Sequence, residues 1–332
     1  MADSIKIGSI NISAFKVGSD DCKIYLGDTL LYPKTNYFTI RSLADNNTIT
    51  LRNNAGTLIQ ETTFYYSIDR GATWTYFKVT RGTTKTIATL NNGDRLMLKG
   101  INGTLGTAYN AGHYFRATGI FEVEGNIMSL LRNNDTDTEF VGGTNNFSQL
   151  FSGCTNLVNA ENLMIPASAM TAGAFNGTFR GCTSLTKAPE LPATVMADSC
   201  YSSMFEGCTS LYQPPSVLSA TSFATNCYQR MFCMNRTSKV TSAMKYTPKM
   251  YGNVSNSSLS FAQQMLCGNG GLETVECYIT VEGGQSLFDQ TGWMNYVNTT
   301  GTFKKLSTQT FSNGVGGIPV GWTVVNDDTT QP

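Results

Sequence analysis

Two rhythms of apolar and polar residues run along this chain. Up to about residue 126 they alternate in period two, as half-buried strands do. The runs are Tyr37-Phe-Thr-Ile40, Thr48-Ile-Thr-Leu51, Phe64-Tyr-Tyr-Ser67, Trp74-Thr-Tyr-Phe77, Arg95-Leu-Met-Leu98 and Gly119-Ile-Phe-Glu-Val123. Turn clusters such as Asp45-Asn-Asn and Asn91-Asn-Gly-Asp94 separate them. Short strands at this spacing predict an immunoglobulin-like β-sandwich over residues 34–126, with Leu96, Leu98 and Ile120 in its core.

Beyond that point the rhythm changes to a long repeat. Phe147-Ser-Gln-Leu-Phe151-Ser-Gly-Cys154-Thr-Asn-Leu157 returns as Phe175-Asn-Gly-Thr-Phe179-Arg-Gly-Cys182-Thr-Ser-Leu185 and as Tyr201-Ser-Ser-Met-Phe205-Glu-Gly-Cys208-Thr-Ser-Leu211. Tyr228-Gln-Arg-Met-Phe232 keeps the aromatic pair and loses Gly-Cys; Phe261-Ala-Gln-Gln-Met265 is weaker. The leading aromatics stand 28, 26, 27 and 33 residues apart. Such a period predicts stacked units, each too small to bury its own apolar faces. Within a unit, the aromatic and the residues three and four later share one face of a helical turn. Gly153, Gly181 and Gly207 then close that turn, and a proline-bearing extended piece such as Leu185-Thr-Lys-Ala-Pro-Glu-Leu-Pro192 follows.

These phrases resemble the BspA-like leucine-rich repeats found in proteins of Bacteroidetes and of their phages. The residues that carry the likeness are the MFEGCTSL of Met204–Leu211, the stretch from Ala188 to Phe205, and the ending Gly317-Ile-Pro319-Val-Gly-Trp322-Thr-Val. The likeness spans roughly residues 125–325. It departs after Phe232, where Cys-Met-Asn-Arg replaces the Gly-Cys turn, and the wider spacing there predicts a loop inserted around Gly252 to Ser258. The expected fold class is therefore mainly β with short helices. A small N-terminal β module (1–33), the sandwich (34–126) and a leucine-rich-repeat solenoid with a C-terminal cap (127–332) make it up. Gly125–Leu131 is expected to cap the first coil, and Trp293 and Trp322 to pack in the cap at the far end.

Residues 1–33 hold short alternating pieces that end at Gly8, Gly18 and Gly27, which read as tight hairpins. So small a module has little core of its own. It is either an extension of the next sheet or an anchor that folds onto a partner, with Ile5, Ile7, Ile24, Tyr25 and Leu26 as the anchoring residues. The phrase IYLGDTLLY (Ile24–Tyr32) resembles the N-terminal module of structural proteins in Bacteroidetes phages, which favours the anchor.

Composition narrows the classes. Charged residues make up only 14% of the chain and the net charge is zero, with Lys and Arg dispersed. A contiguous phosphate-binding surface is not expected, so nucleic acid is excluded as a partner. No apolar run reaches the length of a membrane helix, and the start of the chain has no apolar leader, so synthesis in a host cytoplasm and residence in a virion are expected. Of the nine cysteines, Cys154, Cys182 and Cys208 hold equivalent positions, as do Cys200 and Cys227. Stacking brings such residues near disulfide distance, but buried free thiols are the expectation for all nine. With no Cys-x-x-Cys pair and a single histidine, no zinc site is expected.

Catalytic signals are weak. His113 lies in the glycine-bearing segment Asn110-Ala-Gly-His-Tyr, read as a loop, with no nucleophile motif to pair with. Ser67-Ile-Asp69-Arg-Gly71-Ala-Thr73-Trp74 resembles the Asp-box of sialidases, yet it occurs once, and its expected role is to brace a hairpin. No catalytic, cofactor or metal residue is proposed from sequence. The resemblance implies a non-enzymatic head- or tail-fibre appendage. Its N-terminus would bind other virion proteins, its repeats a host-surface protein or glycan, and it would form a dimer or trimer. A secreted bacterial adhesin with the same repeats is the alternative.

Overall fold

The computed structural model describes residues 36–329 except 138, 141, 168, 255–259, 282–291 and 315, and within 1–35 the backbone of five short strands. Those five are β1 (Lys6–Ile7), β2 (Ile10–Asn11), β3 (Ala14–Val17), β4 (Cys22–Leu26) and β5 (Thr29–Tyr32). β1 pairs with β2, and β3, β4 and β5 form an antiparallel meander with β4 in the middle.

The next nine strands build two sheets. They are β6 (Phe38–Ser42), β7 (Asn47–Asn53), β8 (Glu61–Ser67), β9 (Thr75–Thr80), β10 (Thr84–Leu90), β11 (Arg95–Gly100), β12 (Gly106–Ala108), β13 (Ala111–Ala117) and β14 (Phe121–Asn126). One sheet has the order β10-β7-β13-β12; the other runs β14-β6-β11-β8-β9. Their inner faces meet through Phe38 and Phe115, whose rings are 5.6 Å apart, around fully buried Leu96 and Leu98. Ile120, expected in this core, is 46% exposed. Phe121 and Val123 take the inward positions of β14, and in a period-two strand that puts the residue before Phe121 on the opposite face. The Ile120 carbonyl instead holds the chain reversal, accepting from Leu43 N and Asn47 Nδ2.

The second sheet does not stop at the expected boundary. β15 (Leu157–Met164), which belongs to the first repeat, adds parallel to β14 as its outermost strand. Ring stacking continues in the same direction, from Phe115 to Phe151 at 5.6 Å. The strand-rich region and the repeats therefore share one sheet and one apolar core across the expected boundary at residue 126. Gly125–Leu131, expected as a cap, is wedged between the two. Its 3-10 turn Ile127–Leu130 is buried, with Ser129 Oγ donating to Leu98 O and accepting from Phe38 N.

The repeats are not built on helical turns. Asn145, Gln149 and Gly153 have φ of 57°, 59° and 74°, and the same fourth-residue rhythm recurs at Gly173, Gly177 and Gly181 and at Ser199, Ser203 and Gly207. A helix needs every φ negative, so the cluster becomes a run of linked tight turns. Their amides divide into two sets. Ser148, Leu150, Ser152 and Cys154 donate three residues back within the turn. Phe147, Gln149, Phe151 and Gly153 donate at 2.7–2.9 Å to Ala174, Asn176, Thr178 and Arg180 of the next copy. Phe175, Gly177, Phe179 and Gly181 repeat the pattern onto Cys200, Ser202, Met204 and Glu206. Every alternate donor thus depends on the following copy, which is why one copy cannot stand alone.

The aromatic positions point inward and stack. Phe151, Phe179, Phe205 and Phe232 form a column with successive ring separations of 5.5 Å and near-parallel planes. On the opposite side of each unit the extended pieces pair in parallel. Single bridges link Asn159, Lys187 and Gln213. A five-stranded parallel sheet then follows, with β16 (Val217–Ser219), β17 (Lys249–Val254), β18 (Thr274–Val281), β19 (Thr302–Lys305) and β20 (Thr323–Asn326) in chain order. Gly252, placed by sequence at the start of an inserted loop, lies inside β17, and residues 255–258 fall outside the described residues. At the far end Trp293 and Trp322 are buried, the indole of Trp322 donating to Asn298 O at 2.8 Å.

The cysteines take two states. Cys154, Cys182 and Cys208 point their thiols at Phe115 O, Phe151 O and Phe179 O, at 3.0, 3.1 and 3.1 Å. Burial pushes these thiols up, to about 11 for Cys154 and about 12 for Cys208. Cys233 and Cys267, however, form a disulfide with Cα atoms 4.5 Å apart, which overturns the expectation of nine free thiols. Cys233 directly follows Phe232, where the regular copies carry Ser, Arg or Glu, so its side chain leaves the inner column and meets its counterpart in the next copy.

Candidate functional site

The expected anchoring residues lie in the N-terminal strands. Ile7 pairs with Ile10, and Ile24, Tyr25 and Leu26 lie on β4 opposite Phe15, Ala14 and Thr29 or their neighbours in β3 and β5. Ile5 lies outside the described residues. Since β4 is the central strand of its meander, the open edges belong to β3 and β5.

The Asp-box segment turns the corner between β8 and β9. Ser67 Oγ accepts from Gly71 N and donates to Asp69, which also accepts from Thr73 N at 2.9 Å and Thr73 Oγ1 at 2.5 Å. Those donors hold the Asp69 carboxyl down at about 2, below its ordinary value. Trp74 packs edge-on to Tyr37 and beneath Lys99, whose Nζ is 4.1 Å from the ring centroid. The side-chain oxygens of Ser67, Asp69 and Thr73 are spent inside the turn, which makes it a brace.

His113 sits within β13, not in a loop, because Gly112 is itself part of the strand, packed against Ser148 O where a side chain would crowd. The ring is buried. Its Nδ1 lies 2.7 Å from Leu105 O, a pure acceptor, so Nδ1 carries the proton and Nε2 accepts from Thr62 Oγ1 at 2.8 Å. Burial lowers its pKa to about 4, so the ring is neutral at pH 7 and both nitrogens are engaged. It is a core residue.

Two surfaces remain. A cleft of about 660 Å³ lies at the junction of β6, β14 and β15, with Glu124, Glu161 and Glu190 in its wall. Each carboxylate is already used: Glu124 by Arg95, Glu161 by Lys187 at 2.7 Å, and Glu190 by Ser216 N and Oγ. The other surface is the outer side of the linked turns. Arg180 and Arg236 converge on Glu206, at 3.2 and 2.6 Å, and Arg180 Nη1 also donates to Tyr109 Oη at 2.9 Å. Arg230, close enough to feel both arginines as like charges, donates from Nε to Gln264 Oε1 at 2.8 Å. Two guanidinium groups thus pair with a single carboxylate that is almost buried, with a side chain 10% exposed, and the Arg230 guanidinium lies nearby.

Sequence reading missed this cluster because Arg180, Arg230 and Arg236 are up to 56 positions apart (236 − 180) and look dispersed. Superposing the copies was the available signal. Arg180 and Glu206 occupy the same place after the second aromatic, and Arg230 takes the place of Gln149 and Ser203. Among the described residues no group of three His, Cys, Asp or Glu side chains is placed to hold a metal ion, and no helix is long and apolar enough to cross a membrane. Compared with protein-family models, curated proteins and solved structures, the chain matches none of them. The arginine cluster offers hydrogen-bonding and charged groups at a surface.

Proposed function

We propose that this chain is a non-enzymatic virion structural protein, a head- or tail-fibre appendage that docks through residues 1–33 and displays its repeats. In this reading residues 34–126 are an immunoglobulin-like spacer and residues 127–332 a BspA-like leucine-rich-repeat solenoid with a C-terminal cap. The observation that carries it is the hand-on of amides from each copy to the next, which builds a rigid arm whose side surface is free for recognition. The meander's edge strands β3 and β5 suit addition to a partner's sheet, the chemistry an anchor requires. Host-surface protein or glycan is the partner of the repeats, and a dimer or trimer the assembled form, with no cofactor. The Cys233–Cys267 disulfide suits a molecule that ends outside a reducing cytoplasm, a fate that a released virion shares with the alternative, an exported adhesin.

Deleting residues 1–33 should leave a folded chain that no longer co-sediments with virions assembled in its presence. Retained co-sedimentation would overturn the assigned polarity, and absence of the intact chain from purified virions would favour the adhesin.

A further inference from the structure

We infer that the arginine cluster on the turn face is a binding site for an acidic carbohydrate, one carrying sugar carboxylates. The inference rests on the adhesion reading for where that ligand is met; the charge argument stands by itself.

The whole chain balances 23 basic against 23 acidic side chains, yet here two guanidinium groups share one carboxylate, with the Arg230 guanidinium nearby and bonded to Gln264. Glu206 lies nearly buried beneath Arg180 and Arg236 and so fixes their planes from below. Arg236 spends Nε and Nη2 on Glu206, and Arg180 spends Nε there and Nη1 on Tyr109. The planes are thus pre-set, the remaining N–H groups are left for an arriving carboxylate, and little rotamer freedom is lost on binding. Arg230 adds a third cation whose neighbours are mostly like-charged. Its pKa is lowered first by burial and then by Arg236, with Glu206 opposing, so an arriving anion relieves the crowding. Tyr109 and Gln264 flank the cluster, each bonded to one of its arginines. An aromatic ring and an amide beside a cationic fork suit sugar faces and hydroxyls better than a bare phosphate chain.

The test measures binding of a galacturonate trimer to the full-length protein by calorimetry, beside the neutral galactose trimer and a single-stranded oligonucleotide. The acidic trimer should bind, and binding should weaken as salt rises, since the charges are surface-exposed. Arg230→Gln, which leaves the Glu206 pairs intact, should weaken it about ten-fold, the scale of one hydrogen bond to a charged group. Lys245→Gln, on the strand side and paired with Glu273, should change nothing. Equal affinity for the neutral trimer, indifference to Arg230→Gln, or no binding of the acidic trimer would overturn the proposal. Tighter binding of the oligonucleotide would overturn it in favour of a polyphosphate ligand. Because purified chain is used, this result is separable from the fate of the virion test.

Discussion

The first three copies and the last two solve the same packing problem by different means. From Phe147 to Leu211 each unit closes with Gly-Cys, and the thiol reaches back to a carbonyl of the preceding layer. After Phe232 Cys-Met-Asn stands in place of the Gly-Cys turn, and a covalent bond from Cys233 to Cys267 joins the neighbouring copies. The ring column ends at Phe232, but the hand-on of amides survives the change: Phe232 N donates to Met265 O and Met234 N to Cys267 O, both at 2.8 Å. Regular copies are thus held by many weak identical contacts, whereas an irregular copy needs a specific staple. The lesson is that a stacked repeat tolerates loss of its turn signature where something else fixes the spacing.

The largest test of that contrast is Phe205→Ala. The ring is fully buried between Phe179 and Phe232, so its loss should cost roughly 3–5 kcal/mol. Because β14 and β15 share a sheet, calorimetry should find one unfolding transition, shifted as a whole; two separate transitions would restore independent units. Next comes the double substitution of Cys233 and Cys267 by Ala. Closing a 34-residue interval suppresses unfolded-state entropy, so the pair should be worth about 3–4 kcal/mol. Thiol counting in denaturant without reductant should find at most seven groups, the nine cysteines less the bonded two. A count of nine would remove the staple and the contrast with it. The smallest effect belongs to the regular side. Gly181 has φ +71° and hands its amide to Glu206 O, so Gly181→Ala should cost about 1–2 kcal/mol in chemical denaturation. No cost there would mean that the turn adapts and that its glycine is incidental.

The repeat was legible because ring spacing is a property of sequence, and the strands before it were legible by alternation. The backbone between the rings was not. An aromatic followed four residues later by another fits a helical face as well as it fits linked turns, and Gln149, Ser203 and Arg230 carry no sign of a left-handed φ. Only at Gly177 does the equivalent position show one. Ile120 was misplaced by a one-residue slip in register, and His113 by reading Gly112 as a loop signal when it marks close packing inside a strand. The arginine cluster was invisible for another reason: proximity across copies is created by stacking, and no linear window contains it.

The one-way hand-on of amides has a consequence for how such a molecule changes length. Phe115 N donates to Leu150 O just as Phe151 N donates to Thr178 O, so β13 supplies the founding layer and every later layer faces the same way. Gene duplication can then splice in a whole copy without touching that foundation. Each inserted copy would carry the tip outward by one ring-to-ring step, 5.5 Å between Phe179 and Phe205. Inheritance would thus tune length in fixed increments while the strands before the repeats stay unaltered.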